Sequence, residues 1–544
     1  MAQSPELAGG EGFTFEGDAA ALYLAALLAE AYAPGIDDRT VVCVSVQQRD
    51  FGEPLDDVIV DFEDAAKNQA RLSLQVKRTL TISKAEKNTD FWEIIRDSWA
   101  TLKKTDFRIN ADRYGTAVGT VSRAKERALK TLTDWARESL HADHFDARFA
   151  VGGSGSADIK IVRDDVVALL SKAKGAKCTH EEVHQFLAHF VLIQLDLLRE
   201  GATDPPDAIN RIRDCLSVED AAKAPLVWSR IVQSARASAG KSGQFDRTRL
   251  VRLIAPLARL RGATSFRRDL DKLAELARSY TNQIPDDVGG TKLDRNSLLD
   301  ELSVKLTAAR VVQVRGLPGS GKSALVKRAV QGALRQGPVL FLKAEQLEGN
   351  SWISYATAQG LAGTPLVQFL VEVGAVGTPI LFVDAIDRIE TAHQPVVRDV
   401  VRAIIESPLL GNWRVVVSLR DTGIEMLRNW LGDLLNVVKV ETLNVDQLND
   451  EEAEVLANAK PHLRSLLFGS AQVQEIVRRP FFAKVLNQSY VNDPSCQAFA
   501  PQSEVDLLEN WWRRGGYNET GQSAIERRLA LLNVASVRAR ETQI

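Results

Sequence analysis

The sequence predicts an α/β multidomain protein, and two observations support this fold class. In the N-terminal third, an Ala- and Leu-rich helical segment is followed by three short β-branched segments. At residues 309–330, an apolar strand passes through a glycine-rich turn into another helix. The chain has 544 residues, which is enough for three or four domains that each bury a core.

Composition argues against several classes of protein. The formal net charge is only -3, which argues against a wholly basic, histone-like binder but permits a local basic groove. The cysteines form no CxxC pair, which argues against a disulfide framework or a structural zinc site; they are Cys43, Cys178, Cys215 and Cys496. The N-terminus lacks a basic signal region, and no apolar run is long enough to span a bilayer. We therefore expect a cytoplasmic protein with no membrane partner.

The N-terminal segments predict a buried helix followed by strands that pair. The helix is expected at 18–32 and the strands at 40–48, 56–63 and 70–78. A period of two places Asp57 with Asp61 on one face of the second strand, and Gln75 with Lys77 on one face of the third. If these strands pair, an acid, an amide and an amine converge, with Glu16 standing at the entrance of the helix.

This combination suits phosphodiester cleavage, which needs a Mg²⁺ ion held by oxygen ligands and positive charge beside the phosphate. Asp57 is expected to hold the metal, and Gln75 to offer a neutral carbonyl ligand in place of the more usual carboxylate. Lys77 would position water and phosphate, and Glu16 would add negative charge. Asp56 is the alternative metal ligand. Asp57 is preferred because Asp57 directly opens the apolar strand. A strand that points Gln and Lys at solvent is also common, so the QxK pattern by itself is a weak signal.

These residues resemble the PD-(D/E)xK restriction-endonuclease fold, especially its Mrr-like branch and the double-stranded-DNA nuclease domains of bacterial anti-phage effectors. The matching motifs are GFTFEG, PLDDVIVDF and LQVK, within residues 10–125. The resemblance implies a restriction-endonuclease-like α/β/α nuclease core at 1–135. Its catalytic residues would be Glu16, Asp57, Gln75 and Lys77, with Asp57 and Gln75 as metal ligands.

Residues 136–288 are expected to form a mostly helical extension or connector. Within it, 150–162 is expected to be a glycine turn that enters a short strand, and 179–200 a helix. One cluster has to be weighed as a zinc site: Cys178, His180, His184 and His189. Thr179 and Glu182 have the spacing of a capping box, so an ordinary amphipathic helix is the preferred interpretation.

The strongest motif in the chain is the glycine-rich turn; its residues are Gly316, Gly319, Gly321, Lys322 and Ser323. Glycines let backbone N–H groups turn inward around phosphates, and the following helix N-terminus adds its dipole. Lys322 is expected to neutralise the β and γ oxygens, and Ser323 to ligate Mg²⁺. A strand before the turn and a helix after it supply the expected context, so the pattern predicts binding of ATP or GTP.

Two later strands end in polar residues. The stretch GTPILFVDAIDRIE ends its apolar run in Asp384, expected to hold Mg²⁺ through water, and then Asp387, expected to polarise an attacking water. The stretch WRVVVSLRDTG ends in Ser418 and Arg420, and Arg420 is expected to sense the γ-phosphate. A surface arginine after a strand is the alternative.

Over residues 290–515 these motifs, with LDRNSLLDELSVKL and VRRPFFAKVLNQ, resemble STAND NTPases of the NACHT-like or bacterial antiviral type. The resemblance implies a P-loop STAND or AAA-like module at 289–440 that binds ATP and Mg²⁺. It also implies a helical subdomain with the start of a winged-helix-like segment at 441–544, and a proline against the nucleotide base, matched by Pro480. The chain departs from the pattern at Arg388, where the family often has a further acid, which leaves the hydrolysis rate open. The expected C-terminal sensor is incomplete, so the chain is either a fragment or borrows its sensor from a partner.

A nuclease joined to an oligomerising ATPase resembles the Avs or AVAST group of bacterial anti-phage proteins. The resemblance implies that a phage-derived trigger protein and ATP drive assembly into a homo-oligomer whose clustered nuclease domains cut double-stranded DNA. Two other functions stay open. One is a signalling or scaffold ATPase whose inactive nuclease-like domain binds DNA or protein. The other is an ATP-dependent restriction or DNA-repair nuclease, for which the sequence shows no helicase motif beyond the nucleotide-binding ones.

Overall fold

The computed structural model describes residues 5–150, 153–238, 243–361, 365–492 and 500–507, with scattered residues between 509 and 536. The chain divides into two compact units, Met1–Arg267 and Arg268–Ile544. The winged-helix-like segment expected near the C-terminus and Cys496 lie outside the described residues. Within the described part of the chain, no helix is long and apolar enough to cross a membrane.

A mixed sheet forms the centre of the N-terminal unit. Its strands are β1 (Thr40–Val46), β2 (Val58–Glu63), β3 (Gln69–Leu80), β4 (Arg113–Val121), β5 (Phe190–Gln194) and β6 (Gln244–Asp246). They lie in the order β5-β4-β3-β2-β1-β6, with β3, β4 and β5 parallel and the other neighbours antiparallel. The expected pairing of the second and third strands is therefore present, and β3 lies in the interior of the sheet.

Helices cover this sheet. They are α1 (Pro5–Leu28), α2 (Thr89–Leu102), α3 (Arg123–Glu138), α4 (Ala142–Ala147), α5 (Ala157–Lys174), α6 (His180–His189), α7 (Asp204–Cys215), α8 (Ala224–Ser238) and α9 (Arg247–Ile254). Helix α1 packs against β1 and β3 and against α8. Apart from Leu22, its Ala and Leu residues from 19 to 28 are almost wholly buried, as expected for a helix that is apolar around most of its circumference.

Two expectations for the middle of the chain are wrong. The stretch expected to enter a strand at 150–162 instead begins α5, which Ser156 caps by accepting a hydrogen bond from the backbone of Ile159. The helix expected over 179–200 ends at His189, and the following residues form β5, whose Phe190 pairs with Tyr114 of β4. A short apolar run is compatible with either a buried helix or a buried strand, so its periodicity could not decide between them.

The C-terminal unit contains a parallel sheet and a helical part. Its strands are β7 (Asp287–Val288), β8 (Thr291–Lys292), β9 (Val311–Arg315), β10 (Leu340–Lys343), β11 (Ile380–Asp384), β12 (Arg414–Ser418) and β13 (Val440–Asn444). The parallel sheet has the order β10-β11-β12-β9-β13, and β7 and β8 form a separate hairpin. Nearly continuous Val, Leu, Ile and Phe in the central strands suit a sheet buried on both faces.

The helices of this unit follow the strands or stand after them. They are α10 (Arg267–Asn282), α11 (Asn296–Ala308), α12 (Lys322–Leu334), α13 (Trp352–Ala358), α14 (Leu366–Val376), α15 (Gln394–Glu406), α16 (Ile424–Leu435), α17 (Asp450–Ala459), α18 (Arg464–Leu467), α19 (Ala471–Val477) and α20 (Pro480–Asn492). Helices α17 to α20 share an apolar core of their own, which includes Leu456, Leu467 and Phe482. The described chain is thus an α/β protein of more than one unit, with one mixed and one parallel sheet.

Candidate functional site

Asp57 lies at the centre of the N-terminal candidate site. It immediately precedes β2 and is 5% exposed. Its Oδ2 accepts hydrogen bonds from Gln75 Nε2 at 2.6 Å and from the backbone N–H of Val76 at 2.7 Å. The register between β2 and β3, in which Val58 faces Leu74, brings the carboxylate to this point. The acid and the amide singled out in the sequence therefore meet in the structure.

Gln75 has a buried acceptor without a donor. Its Nε2 is occupied by Asp57, and its Oε1 has no hydrogen-bond partner among the described residues. A buried polar atom without a partner costs about 1–3 kcal/mol, so native structures rarely leave one without a reason. A cation beside Asp57 would satisfy Oε1, which fits an amide ligand at this position.

A second glutamine, Gln47, links Asp57 to Glu16. Gln47 follows β1 and has a left-handed backbone conformation with φ of 53°. Its Nε2 donates to Glu16 Oε2 at 2.9 Å and to Asp57 Oδ1 at 3.4 Å. Glu16 lies on α1, which crosses this part of the sheet. Two carboxylates and two amides therefore form one connected group.

Lys77 lies close enough to this group for its charge to act on both acids. Its positive charge lowers the pKa of Glu16 and of Asp57, against the larger effect of burial. Its Nζ is 3.2 Å from Asp90 Oδ1 at the beginning of α2. The amine is therefore beside the acids, although the carboxylate that it contacts is Asp90.

Asp56 has a different environment from Asp57. Its Oδ1 accepts hydrogen bonds from Arg49 Nε at 3.1 Å and Nη2 at 2.9 Å. The carboxylate of Asp56 is therefore hydrogen-bonded to Arg49, whereas the carboxylate of Asp57 is hydrogen-bonded to the amides of Gln47 and Gln75. Of the two adjacent acids, Asp57 has the geometry that suits a metal ligand.

Burial raises the pKa of both carboxyl groups. The pKa of Glu16 rises from 4.5 to about 7, because burial disfavours its charge. The pKa of Asp57 rises from 3.8 to about 8, because of burial first and the negative charge of Glu16 second. Acids held in this way release protons when a cation binds them, so binding would strengthen as the pH rises.

The histidine cluster of the middle region does not form a zinc site. Among the described residues, no group of three or more His, Cys, Asp or Glu could hold a metal ion. The histidines have separate partners: His180 contacts Asp146, His184 contacts the carbonyls of Ala136 and Ser139, and His189 contacts the carbonyl of Asp112. The capping box of Thr179 and Glu182 is present, as the sequence predicts.

The glycine-rich turn lies between β9 and α12. Gly316, Gly319 and Gly321 all have positive φ, at 148°, 79° and 100°. A Cβ at Gly316 would stand 2.4 Å from the carbonyl oxygen of Val445, so the loop has no room for a side chain there. Lys322 begins α12, and its Nζ donates to the carbonyls of Gly316 and Leu317 at 2.9 Å each. Burial lowers the pKa of Lys322, and the nearby Asp387 acts in the opposite direction.

Ser323, Asp384 and Ser418 form a hydrogen-bonded group at the carboxyl edge of the parallel sheet. Asp384 Oδ1 accepts from Ser323 Oγ at 2.9 Å and from Ser418 Oγ at 2.5 Å. Burial raises the pKa of Asp384, and the two hydroxyls act against that rise. The hydroxyl and the acid expected to share one Mg²⁺ are therefore adjacent, and these oxygens suit that ion.

Asp387 and Arg420 form an ion pair. Arg420 Nε donates to Asp387 Oδ2 at 2.7 Å, and the Asp387 side chain is buried while that of Arg420 is 40% exposed. The sequence predicts separate functions for these residues, Asp387 as a water-polarising acid and Arg420 as a phosphate sensor. The structure brings the two side chains into direct contact.

Pro480 lies beside the glycine-rich turn, at the start of α20. It lines a cavity of about 430 Å³ with turn residues Gly319, Gly321, Lys322 and Ser323, and with Arg388. The other lining residues include apolar side chains, namely Ile284, Val288, Leu293, Leu325 and Phe481, and charged ones, namely Asp286, Asp287, Arg295, Arg328 and Lys484. A glycine-rich turn beside a cavity with apolar and charged walls has the chemistry to accept a nucleotide.

Sequence reasoning missed three donors that hold the outer side of the turn, and we name them the P-loop clamp. In the clamp, Arg295 Nη1 donates a hydrogen bond to the carbonyl of Ser320 at 2.7 Å. The backbone N–H of Phe481 donates to the carbonyl of Gly319 at 3.2 Å, and Arg479 Nη1 donates to the carbonyl of Pro318 at 3.4 Å. These residues lie in the stretches LDRNSLLDELSVKL and VRRPFFAKVLNQ, but they are far from the turn along the chain, so the sequence does not show that they contact it. Gln47 was missed for the same reason, since a glutamine at a strand end carries no signal of its own.

No family model matches the chain, and no curated protein matches it. Solved structures give distant similarities. A Walker-type ATPase of Pyrococcus abyssi is 12% identical with a TM-score of 0.30, over 48% of this chain and 80% of that chain. A Cap4 SAVED/CARF-domain receptor of Acinetobacter baumannii, bound to a cyclic trinucleotide, is 10% identical with a TM-score of 0.27, over 77% and 72%. A RuvB mutant of Thermotoga maritima is 16% identical with a TM-score of 0.22, over 45% and 78%. At TM-scores this low, none of these structures identifies the function of the chain.

Proposed function

We propose that this chain is an anti-phage effector in which an ATP-binding STAND module controls a Mg²⁺-dependent endonuclease that cuts double-stranded DNA. The observation that carries the proposal is the partly buried group of Glu16, Asp57 and Gln75, in which the buried Oε1 of Gln75 has no donor among the described residues. Carboxylate and amide oxygens are the ligands that Mg²⁺ prefers. A phage-derived trigger and self-assembly into a homo-oligomer belong to the same proposal.

In this proposal Asp57, Gln75 Oε1 and Glu16 hold the metal. Bound Mg²⁺ would supply positive charge and an activated water at the phosphodiester. Asp57 is fixed by the Val76 N–H and by its place at the β2 terminus, so its carboxylate is oriented before metal arrives. Lys77 adds positive charge that attracts the scissile phosphate and stabilises its extra negative charge during cleavage.

In the nucleotide site, Lys322 would exchange the carbonyls of Gly316 and Leu317 for phosphate oxygens of ATP. Ser323 and Asp384 would share Mg²⁺, and Pro480 would pack against the base. In this proposal the side chain of Arg420 has two alternative contacts at this edge of the sheet. Arg420 is held by Asp387 in one state, and it contacts the γ-phosphate in the other.

The test is plasmid cleavage by the intact chain with Mg²⁺ and ATP, in the presence of candidate phage triggers. We expect Lys77→Ala to abolish cutting, and Lys322→Ala to reduce it because ATP no longer binds. Lys87→Ala is the matched control, since Lys87 is an exposed lysine on the loop that follows β3. Cleavage by Lys77→Ala at the parental rate would show that the nuclease assignment is wrong.

Two observations favour a second function, in which the nuclease-like domain only binds DNA or protein. Among the described residues, no third His, Cys, Asp or Glu is placed with Glu16 and Asp57 to hold a metal ion, and Lys77 contacts Asp90. For a scaffold of this kind, Asp57→Asn and Lys77→Ala would leave every activity of the chain unchanged. DNA binding without cutting, measured by fluorescence anisotropy on both variants, would identify it.

A further inference from the structure

We propose that Gln47 is a positioning residue of the N-terminal metal site. It holds Glu16 and Asp57 at a fixed separation, so that their carboxylates and Gln75 Oε1 face one cation. The inference rests on the proposed nuclease function. It adds a residue that would donate no ligand to the metal and would act through the two acids.

The side chain of Gln47 contacts both acids. One NH₂ group, that of Gln47, donates to Glu16 Oε2 at 2.9 Å and to Asp57 Oδ1 at 3.4 Å. An amide nitrogen has two donors, which matches one bond to each acid. Glu16 comes from α1 and Asp57 from the start of β2, so these two elements are joined at the site by one side chain. Ionised acids repel each other at short range, and a shared donor opposes that repulsion.

The backbone of Gln47 also holds the residue in place beside Asp57. Its N–H donates to the carbonyl of Asp57 at 3.3 Å, so the residue is attached to Asp57 through both main chain and side chain. Its φ of 53° lies in the left-handed region, which is strained for a residue with a Cβ. Strain of this kind persists where the surroundings enforce it, and it concentrates at functional sites. The turn therefore fixes both the place and the direction of the amide.

Glutamine suits position 47 better than asparagine or glutamate does. Asparagine tolerates positive φ better than glutamine does, yet it is one methylene shorter and would not span both acids. Glutamate has the length, but it has no N–H donor and would bring a third negative charge to the site. Glutamine combines the reach with the donor. The neighbouring Gln48 has a different contact, because its Nε2 donates to the carbonyl of Val46 at 2.9 Å.

The experiment compares Gln47→Asn with Gln48→Asn in the intact chain. Mg²⁺ binding is measured by isothermal titration calorimetry without nucleotide, in an Asp384→Asn background that removes the other Mg²⁺ site. We expect Gln47→Asn to melt close to the parental temperature, because asparagine relieves the backbone strain while the two hydrogen bonds to the acids are lost. We expect it to bind Mg²⁺ about 10-fold to 100-fold more weakly, as is usual when a residue that orients ligands is lost. Gln48→Asn should bind as the parent does.

A second readout separates positioning from a loss of fold. Cleavage is followed against Mg²⁺ concentration, and a positioning role predicts that excess Mg²⁺ restores much of the rate of Gln47→Asn. Parental Mg²⁺ affinity in Gln47→Asn would overturn the inference, as would a parent that binds no Mg²⁺. Gln47→Asn could weaken Mg²⁺ binding while neither the parent nor Lys77→Ala cuts DNA. That result would support the positioning role of Gln47 and would show that the proposed nuclease function is wrong.

Discussion

The carboxyl group of Asp57 contributes to the pH dependence of stability in the N-terminal unit. The groups that act on it are Glu16, Asp56 and Lys77, besides the Val76 N–H, and burial is the largest influence. Its pKa of about 8 in the folded chain lies above the ordinary value of 3.8. The folded state therefore binds this proton more tightly than the unfolded state does. The stability associated with the proton is present at low pH and is lost as the pH rises toward 8.

We expect Asp57→Asn to reduce this pH dependence, while the part that comes from Glu16, whose pKa is raised to about 7, remains. With a metal chelator present, the parental free energy of unfolding should fall on the order of a few kcal/mol between about pH 5 and about pH 8. Asparagine has the same shape without the titration, so the variant should vary less. Urea denaturation of the intact chain at each pH measures the effect. Asp38→Asn, on an exposed residue, is the control, and an unchanged slope in Asp57→Asn would show that another group is responsible.

At the scale of residues, the sequence could predict which side chains alternate onto one face, and little beyond that. Asp57 and Gln75 were found because strand period and strand order are local patterns. The amide of Gln47 was not found, because its contacts depend on where α1 crosses the sheet. The contact between Asp387 and Arg420 depends in the same way on two strands lying side by side.

At the scale of elements, the P-loop clamp joins the turn to the helical part of the same unit. Consecutive carbonyls from Pro318 to Ser320 accept hydrogen bonds from outside the turn. Arg295 makes the widest connection, since it also donates to the carbonyl of Asp446 at 2.8 Å and to Glu452 of α17 at 3.1 Å. One guanidinium group therefore links the turn directly to α17.

We expect Arg295→Ala to weaken ATP binding although Arg295 precedes the turn by more than twenty residues. The substitution leaves several carbonyls and Glu452 without their donor, and each such loss costs about 1–3 kcal/mol. Because ATP binding would then have to restore the shape of the turn, we expect the ATP affinity to fall about 10-fold to 100-fold, measured by titration with a fluorescent ATP analogue. Arg335→Ala, at the exposed end of α12, should bind ATP normally. Normal binding by Arg295→Ala would show that the clamp does not support the turn.

A second element-scale prediction concerns Gly115, where β4 meets β5. Gly115 has φ of 157°, and a Cβ there would stand 2.0 Å from the carbonyl oxygen of Val191. Gly115→Ala should therefore separate the two strands and lower the free energy of unfolding by about 3 kcal/mol or more. Gly201→Ala is the control, because a Cβ at Gly201 meets nothing within 4 Å and only its φ of 76° is strained. Urea denaturation compares the two variants, and equal losses would argue against the β4 to β5 contact.

The same strand pair shows why some elements could not be predicted. The P-loop strand and helix carry a motif, and β1 to β3 carry local alternation, so each was recognised. Strand β5 follows an amphipathic helix without a break in apolar spacing, and only its pairing with β4 makes it a strand. Conversely, α5 begins with a β-branched stretch, and the cap at Ser156 commits it to a helix.

At the scale of the whole molecule, each unit has a buried core of its own. The core of the N-terminal unit includes Phe91, Tyr114 and Phe186, and that of the C-terminal unit includes Val312 and Phe382. Strands β5 and β6 belong to the N-terminal sheet, so the region expected as a helical connector contributes to that unit. A unit with a separate core has the means to unfold in a transition of its own.

We therefore expect the intact chain to unfold in two thermal transitions, only one of which responds to ATP. Binding at 100 times the dissociation constant stabilises the folded state that binds by about 2.7 kcal/mol, and the residues that would bind ATP all lie in Arg268–Ile544. Differential scanning calorimetry should show one transition moving upward with ATP, while the other stays in place. Lys322→Ala should remove the movement and Lys77→Ala should keep it. A single transition that moves as a whole would mean that the two cores unfold together, and ATP would then also stabilise the group of Glu16, Asp57 and Gln75.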